Sequence, residues 1–153
     1  MKYITICGKN SDKNIMVSNS DYPSLNGYKW YINSSGYATD GKIYMHQIIL
    51  PKIGGKEVEH KDGNKLNNQR DNLRYASRSQ NHANRKKSSE SIFRYKGIRK
   101  KNDRFRNKPW QATIKKDYKT YYLGYYETEI EAAEAYNKMA VELYGEFARI
   151  NVF

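Results

Sequence analysis

Glu59, His60 and Asp62 stand close together in the segment VEHKDGNKLNNQRDNLRYASRSQNHAN, which also holds Asn64, Asn67, Asn68, Asn72, Asn81 and Asn84. A carboxylate and an amide oxygen are hard donors of the kind Mg²⁺ or Mn²⁺ accepts, and a neutral imidazole can take a proton near neutral pH. Glu59 and Asn81 on one divalent cation, with His60 facing a neighbouring water, would be equipped to hydrolyse a phosphodiester. That reaction needs an activated water, neutralisation of the charge developing at phosphorus and stabilisation of the leaving alkoxide. Two protein oxygens suffice, because Mg²⁺ retains waters and takes further oxygens from the scissile phosphate. The competing reading is a solvated polar loop, since Asn and Asp favour turns by hydrogen-bonding nearby backbone. Asp62, Gly63 and Asn64 are read in that way, with Gly63 supplying a positive φ.

Positioning these groups requires a strand at Val58-Glu59-His60, a long loop, a second strand at Leu73-Arg74-Tyr75 and a helix carrying Asn81. The pattern S-x-x-Q at Ser77 and Gln80 is a capping box that predicts the helix from Ser77 to about Lys86. Upstream, YITI at 3–6 and YKWYI at 28–32 read as strands, and NSSG at 33–36 as a turn before YAT. KIYMHQIIL at 42–50 follows neither period cleanly and is left as strand or short helix.

The segment Val58–Asn81 resembles the HNH homing endonucleases, whose ββα-metal pattern runs approximately V-[D/N]-H-x-[D/N]-G-N-x-x-[D/N]-N, then N-L-R and a final N. The resemblance implies Glu59 and Asn81 as metal ligands, His60 as general base and Asn72 as the central Asn that fastens the loop. MHQII at 45–49 is similar to the family's upstream M-H-R-L-I, which gives His46 a supporting place. Glu59 stands where the family usually has Asp. Asn81 stands where other branches have the final His, and His82 beside it projects about 100° away on a helix. His82 and Asn84 are kept as secondary, supporting candidates.

From Tyr95 onward, three short strands and a helix account for the chain. In PWQATIKK, Trp110, Ala112 and Ile114 alternate with Gln111, Thr113 and Lys115, which predicts a packed face and a polar, basic face. YYLGYY alternates less cleanly, with Tyr121 and Leu123 set against Tyr122 and Gly124. Thr128 and Glu131 form a capping box, Ala132, Ala133, Tyr136, Met139, Ala140 and Leu143 make an apolar stripe, and Gly145 terminates the helix. YKGIR, W-x-A-x-I, YYLGYYET, EAAEAYN and G-x-x-A-x-I-N resemble the APETALA-two or ethylene-responsive DNA-binding domain over residues 95–153. That resemblance implies a sheet reading duplex DNA in the major groove through Lys96, Arg99, Lys101, Gln111, Thr113, Lys115 and Tyr122. Trp110 goes to the core. The first turn, KKNDRFRNKP, is longer than in the family and lacks its usual Trp, which assigns Arg104 and Arg106 to phosphate instead.

Charge agrees with a polyanionic partner. The 153 residues carry 28 Lys+Arg and 16 Asp+Glu, a net +12. Nucleic acid leads and an anionic membrane surface trails. Residues 94–119 hold the densest positive charge, whereas the acidic residues Glu127, Glu129, Glu131, Glu134 and Glu142 cluster on the last helix. One cysteine, Cys7, permits no internal disulfide and no cysteine zinc site. The absence of a long apolar run argues against export or membrane insertion and for a reducing, cytoplasmic setting in a bacterial or phage-infected cell. The expected class is α+β: an N-terminal ββα-metal nuclease domain at 1–87, with its core at about 56–87, and a linker at 88–94. A three-stranded antiparallel sheet packed on one helix follows at 95–153. The expectation is a metal-dependent endonuclease of phage or mobile-intron type, acting on double-stranded DNA as a monomer or weak dimer. A DNA-binding regulator with a degenerate nuclease unit is the alternative, and an RNA-binding protein using exposed tyrosines is a third.

Overall fold

The computed structural model describes residues 1–87, 91–101 and 107–153, so Arg104 and Arg106 lie outside the described residues. The chain divides into two compact units, Met1–Arg78 and Ser79–Phe153.

In the first unit, β1 (Lys2–Thr5) and β2 (Asn14–Val17) form an antiparallel hairpin. β6 (Asn67–Asn68) adds to β2 in parallel, with Met16 opposite Asn67 and Val17 opposite Asn68. A short helix α1 (Tyr22–Leu25), the two-residue strands β3 (Tyr31–Ile32) and β4 (Ala38–Thr39), and helix α2 (Met45–Ile49) complete the upstream half. Ile4, Ile6, Ile15, Val17, Leu25, Trp30, Met45 and Ile49 are buried in one core. Trp30 satisfies its indole N–H on the Leu25 carbonyl at 2.9 Å, so a large ring is buried without an orphan donor. The ambiguous run at 42–50 resolves as a helix because Met45, His46 and Ile49 all turn inward, a spacing that only a helix puts on one face. YKWYI is strand only at Tyr31–Ile32, because Trp30 is drawn into the core.

β5 (Glu57–His60) and β7 (Leu73–Ala76) pair antiparallel, with Glu59 opposite Arg74 and His60 opposite Leu73. A 3-10 turn at Arg70–Asn72 leads into β7. Helix α3 (Arg78–Asn84) follows, shorter at its C-terminus than the expected Lys86. The reason is chemical: Lys96 Nζ takes the carbonyl oxygens of Ala83 and Arg85, and so caps the helix end.

The second unit is built on a sheet in the order β10-β9-β8, from β8 (Ile98–Lys100), β9 (Trp110–Lys116) and β10 (Lys119–Tyr126). Helix α4 (Glu129–Tyr144) covers one face, burying Ala132, Ala133, Tyr136, Ala140 and Tyr144 against Ile98, Ala112 and Ile114. Its N-terminus carries both bonds of the Thr128–Glu131 capping box. Simple alternation along YYLGYY does not hold. Leu123 is an extra residue in a bulge, so Tyr122 opposes Thr113 and Gly124, with φ +120°, opposes Ala112 on the helix side. The bulge restores Tyr125 to the open face opposite Gln111.

Gly97 meets a demand no other residue meets. Its φ is +80°, and a Cβ there would stand 2.2 Å from the Tyr136 ring and 2.7 Å from the Thr113 carbonyl oxygen. The Gly97→Ala variant is expected to lose about 2–4 kcal/mol, combining a disfavoured φ with overpacking; urea denaturation measures it, and a loss below about 1 kcal/mol would contradict this packing.

Candidate active site

The β5–β7 hairpin is the frame. Pairing puts Glu59 and Arg74 side by side, and Arg74 Nε donates to Glu59 Oε1 at 2.6 Å. Glu59 is only 3% exposed and His60 5%. Burying an acid at that depth is costly unless a cation accompanies it, and Arg74 supplies one.

Asn72 shapes the loop between the strands. Its Oδ1 accepts from the Asp62 amide at 3.2 Å, and its Nδ2 donates to Asp62 Oδ1 at 3.1 Å and to the Asn67 carbonyl at 2.8 Å. One side chain thus ties both ends of the loop together. Asp62 accepts in addition from the Asn64 amide and from Asn67 Nδ2, at 2.7 and 2.8 Å. Desolvation works to raise the Asp62 carboxyl, but the bonds from Asn67, Asn64 and Asn72 outweigh it and hold it below the usual range. Asp62 and Asn64 are turn-makers, as their positions around Gly63 imply.

His60 is held from below and from the side. Asn68, wholly buried in β6, places Oδ1 3.3 Å from His60 Nε2. An amide oxygen only accepts, so Nε2 carries the ring proton and Nδ1 is the basic nitrogen. The His46 ring meets His60 edge-on at 5.3 Å, and Tyr37 packs against both at 5.3 and 5.9 Å. Tyr44 stacks flat on His46 at 5.4 Å. Burial pushes the His60 pKa down, against the opposing bond to Asn68 and the charge of Asp62, and so favours the neutral ring that a base needs.

His46 is lowered to about 4, first by desolvation, then by repulsion from His60 and Lys52. The unfolded ring takes its proton near 6.5, whereas the folded ring resists until about pH 4. Between those values the unfolded state binds more protons, so acid favours unfolding. Stability tied to His46 is full above pH 6.5 and is lost as pH falls toward 4, at a limit of roughly 1.4 kcal/mol per pH unit. The His46→Gln variant is expected to flatten that dependence in denaturation midpoints between pH 4.5 and 7; an unchanged slope would place the acid sensitivity elsewhere.

Asn81, His82 and Asn84 lie on α3, and all three belong to the second unit. Among the described residues no cluster of three His, Cys, Asp or Glu forms a complete metal cage. The donors that are present are hard oxygens, which fit Mg²⁺ or Mn²⁺ retaining waters and do not fit a cysteine zinc site.

On the second unit, Arg99, Gln111, Thr113, Lys115 and Tyr122 share the open sheet face by register. Tyr122 is 75% exposed, and Gln111 Nε2 donates to Tyr125 Oη at 3.0 Å. Lys101 is exposed just past β8. Lys96 differs from the others, because its ammonium is turned to the carbonyls at the end of α3.

Sequence reasoning did not single out Asn68, Tyr37, Tyr44 or Arg74. Arg74 had a usable signal: once Val58-Glu59-His60 and Leu73-Arg74-Tyr75 are paired strands, a cation faces the carboxylate. Asn68 had none, because its place depends on pairing with β2.

A family model described as HNH endonuclease matches residues 50–83. An uncharacterized HNH endonuclease of Acanthamoeba polyphaga mimivirus is 37% identical over 158 aligned positions, covering 97% of this chain and 80% of that protein. No solved structure gives a significant match. From the paired strands, the Asn-fastened loop and these two similarities together, the chain belongs to the HNH endonuclease family.

Proposed function

We propose that this protein is a divalent-metal-dependent endonuclease of double-stranded DNA, of the homing type. The observation that carries the reading is the buried His60, next to Glu59 on β5, with its Nε2 3.3 Å from Asn68 Oδ1. In this reading His60 Nδ1 accepts a proton from the attacking water as its oxygen bonds to phosphorus, and the bond to the leaving oxygen breaks with in-line geometry. Asn68 holds the ring in the productive tautomer. His46 and Tyr37 keep it from turning. Asn72 keeps the loop closed, and so keeps His60 and Glu59 at the end of one strand. Glu59, with Asn81 as the second ligand by resemblance, would hold Mg²⁺ or Mn²⁺. When bound, such an ion supplies charge neutralisation at the phosphate and support for the leaving alkoxide.

The second unit is the DNA-binding module of this proposal, an APETALA-two-like sheet whose open face presents Arg99, Gln111, Thr113, Lys115 and Tyr122 to the major groove. Lys101 extends that face, and Arg104 and Arg106 are assigned to phosphate from sequence alone. Lys96 is left out, since its ammonium is engaged in capping α3. A monomer with one site nicks, in the cytoplasm of a bacterial or phage-infected cell and as part of a mobile element.

The test is supercoiled plasmid and genomic DNA at low salt with Mg²⁺, Mn²⁺ or EDTA, scoring cutting separately from a gel shift. Metal-dependent nicking or linearisation supports the proposal. Tight duplex binding with no cutting in any metal, on DNA that includes the bound site, supports the second reading, a regulator with a silent nuclease unit. The Arg74–Glu59 ion pair favours that second reading, because a guanidinium on Oε1 competes with a cation for the same carboxylate.

A further inference from the structure

At the edge of β9 the second unit holds a half-open cavity of about 430 Å³. It exists because β8 begins late. Ile98 pairs with Ala112 and the Thr113 amide still reaches the Gly97 carbonyl at 2.9 Å, but past that point β9 has no paired strand on this side among the described residues. The last turn of α3, with Lys86, Lys87, Ser91, Phe93, Tyr95 and Lys96, walls the space instead.

The lining is cationic. Lys86, Lys87, Lys96, Arg99 and Lys115 all border the cavity, and no Asp or Glu stands among its described lining residues. Lys87 Nζ donates to the Ser91 and Phe93 carbonyls, and Lys96 Nζ to those of Ala83 and Arg85. Neutral carbonyls satisfy the N–H donors, yet they do not cancel the charge. Lys96 registers this: burial first, then Arg149 and Arg85, push its pKa down to about 8. Ile98, Ile114, Tyr136 and Tyr144 form the apolar back of the cavity, where an ionic contact is weakly screened.

We propose that this cavity seats a backbone phosphate of a nucleic acid strand lying across the open sheet face. Arg99, Thr113 and Lys115 belong both to that face and to the cavity lining, so a strand tracking the sheet edge reaches the cavity without leaving the surface. A phosphodiester supplies the charge that the lysines lack and accepts hydrogen bonds from several donors at once. The inference rests on the second unit being the DNA-binding module. A free nucleotide or polyphosphate shares the chemistry, and the arms of the experiment separate the sources.

The full chain is used throughout. Lys86 is exposed, so Lys86→Glu is a variant that leaves the fold in place. In an NMR titration with inorganic pyrophosphate, the amides of Gly97, Ile98 and Thr113 are expected to shift, with Kd rising about tenfold in Lys86→Glu. In parallel, the slope of log K for duplex DNA against log[NaCl] is expected to shrink by about 1, one phosphate contact, in Lys86→Glu. Gln111→Ala and Tyr122→Ala should weaken binding without changing that slope. Pyrophosphate shifts confined to other residues overturn the cavity while leaving the sheet reading standing. Pyrophosphate or mononucleotide binding in the cavity with an unchanged DNA slope overturns the backbone assignment. If Gln111→Ala and Tyr122→Ala leave DNA affinity untouched, the sheet reading itself fails, and the cavity is then judged on pyrophosphate alone as a small-anion site, which also overturns the proposal as stated.

Discussion

The His60→Ala variant is expected to cut DNA about 10³-fold more slowly than wild type while binding duplex with unchanged affinity. Two features make the effect large. The ring follows Glu59 directly on β5, its Nε2 lies 3.3 Å from Asn68 Oδ1, and the proposed reading makes Nδ1 the atom that takes the proton. The side chain lies in the first unit, whereas the DNA-binding face is assigned to the second. Truncation also removes packing against His46 and Tyr37, so thermal unfolding must be recorded with the rates. If the alanine variant unfolds at assay temperature, His60→Gln restores an acceptable volume without a base near neutral pH. Wild-type cutting by a folded His60 variant would exclude this residue as the base.

Asn72→Ala carries the second large effect, and it falls on stability as well as on cutting. Alanine removes three side-chain hydrogen bonds at once, leaving the Asp62 amide, an Asp62 carboxylate oxygen and the Asn67 carbonyl without those partners. Losses from such a partly buried network reach about 2–4 kcal/mol. The expected outcome is a lowered denaturation midpoint and loss of cutting, with protection in amide exchange disappearing first across residues 61–72. A variant with wild-type stability and rate would show that the loop holds its shape by other means. Comparing the two alanine variants separates chemistry from architecture, since only Asn72→Ala should open the loop.

The contrast between these residues also shows what was legible beforehand. His60, Glu59 and Asn72 announce themselves because their spacing is fixed within one hairpin, and local spacing survives in sequence. The strand pair, the C-terminal sheet, the Thr128 cap and the Gly145 stop were readable for the same reason: periodicity and caps are local signals. Asn68 was not readable, because it acquires its role through a parallel pairing with Val17 across the fold. Nor was the bulge at Leu123, which shifts the register of β10 by one residue and whose carbonyl accepts from the Tyr126 hydroxyl at 2.8 Å. Lys96, which the APETALA-two resemblance places on the DNA side, turns its ammonium to the carbonyls at the end of α3, and nothing local in the sequence reveals which lysine will do so.

The parallel pairing of β6 with β2 has a consequence for how this unit becomes functional at all. Residues 50–83, the stretch that carries the family signature, include the Asn72 that closes their loop but not the upstream partners of β6 and Arg70. Arg70 grips Asp21 through two nitrogens, its amide takes the Ser18 hydroxyl, and the Met16 amide takes the Leu66 carbonyl. These contacts span 49 to 52 residues of chain, so loop-closure entropy must be overcome before Asn68 can reach His60. The signature segment is therefore not an autonomous module. An upstream segment that carries none of the candidate chemistry, residues 14–21, is thus what seats Asn68 against His60, and a change there is felt at the site without touching it.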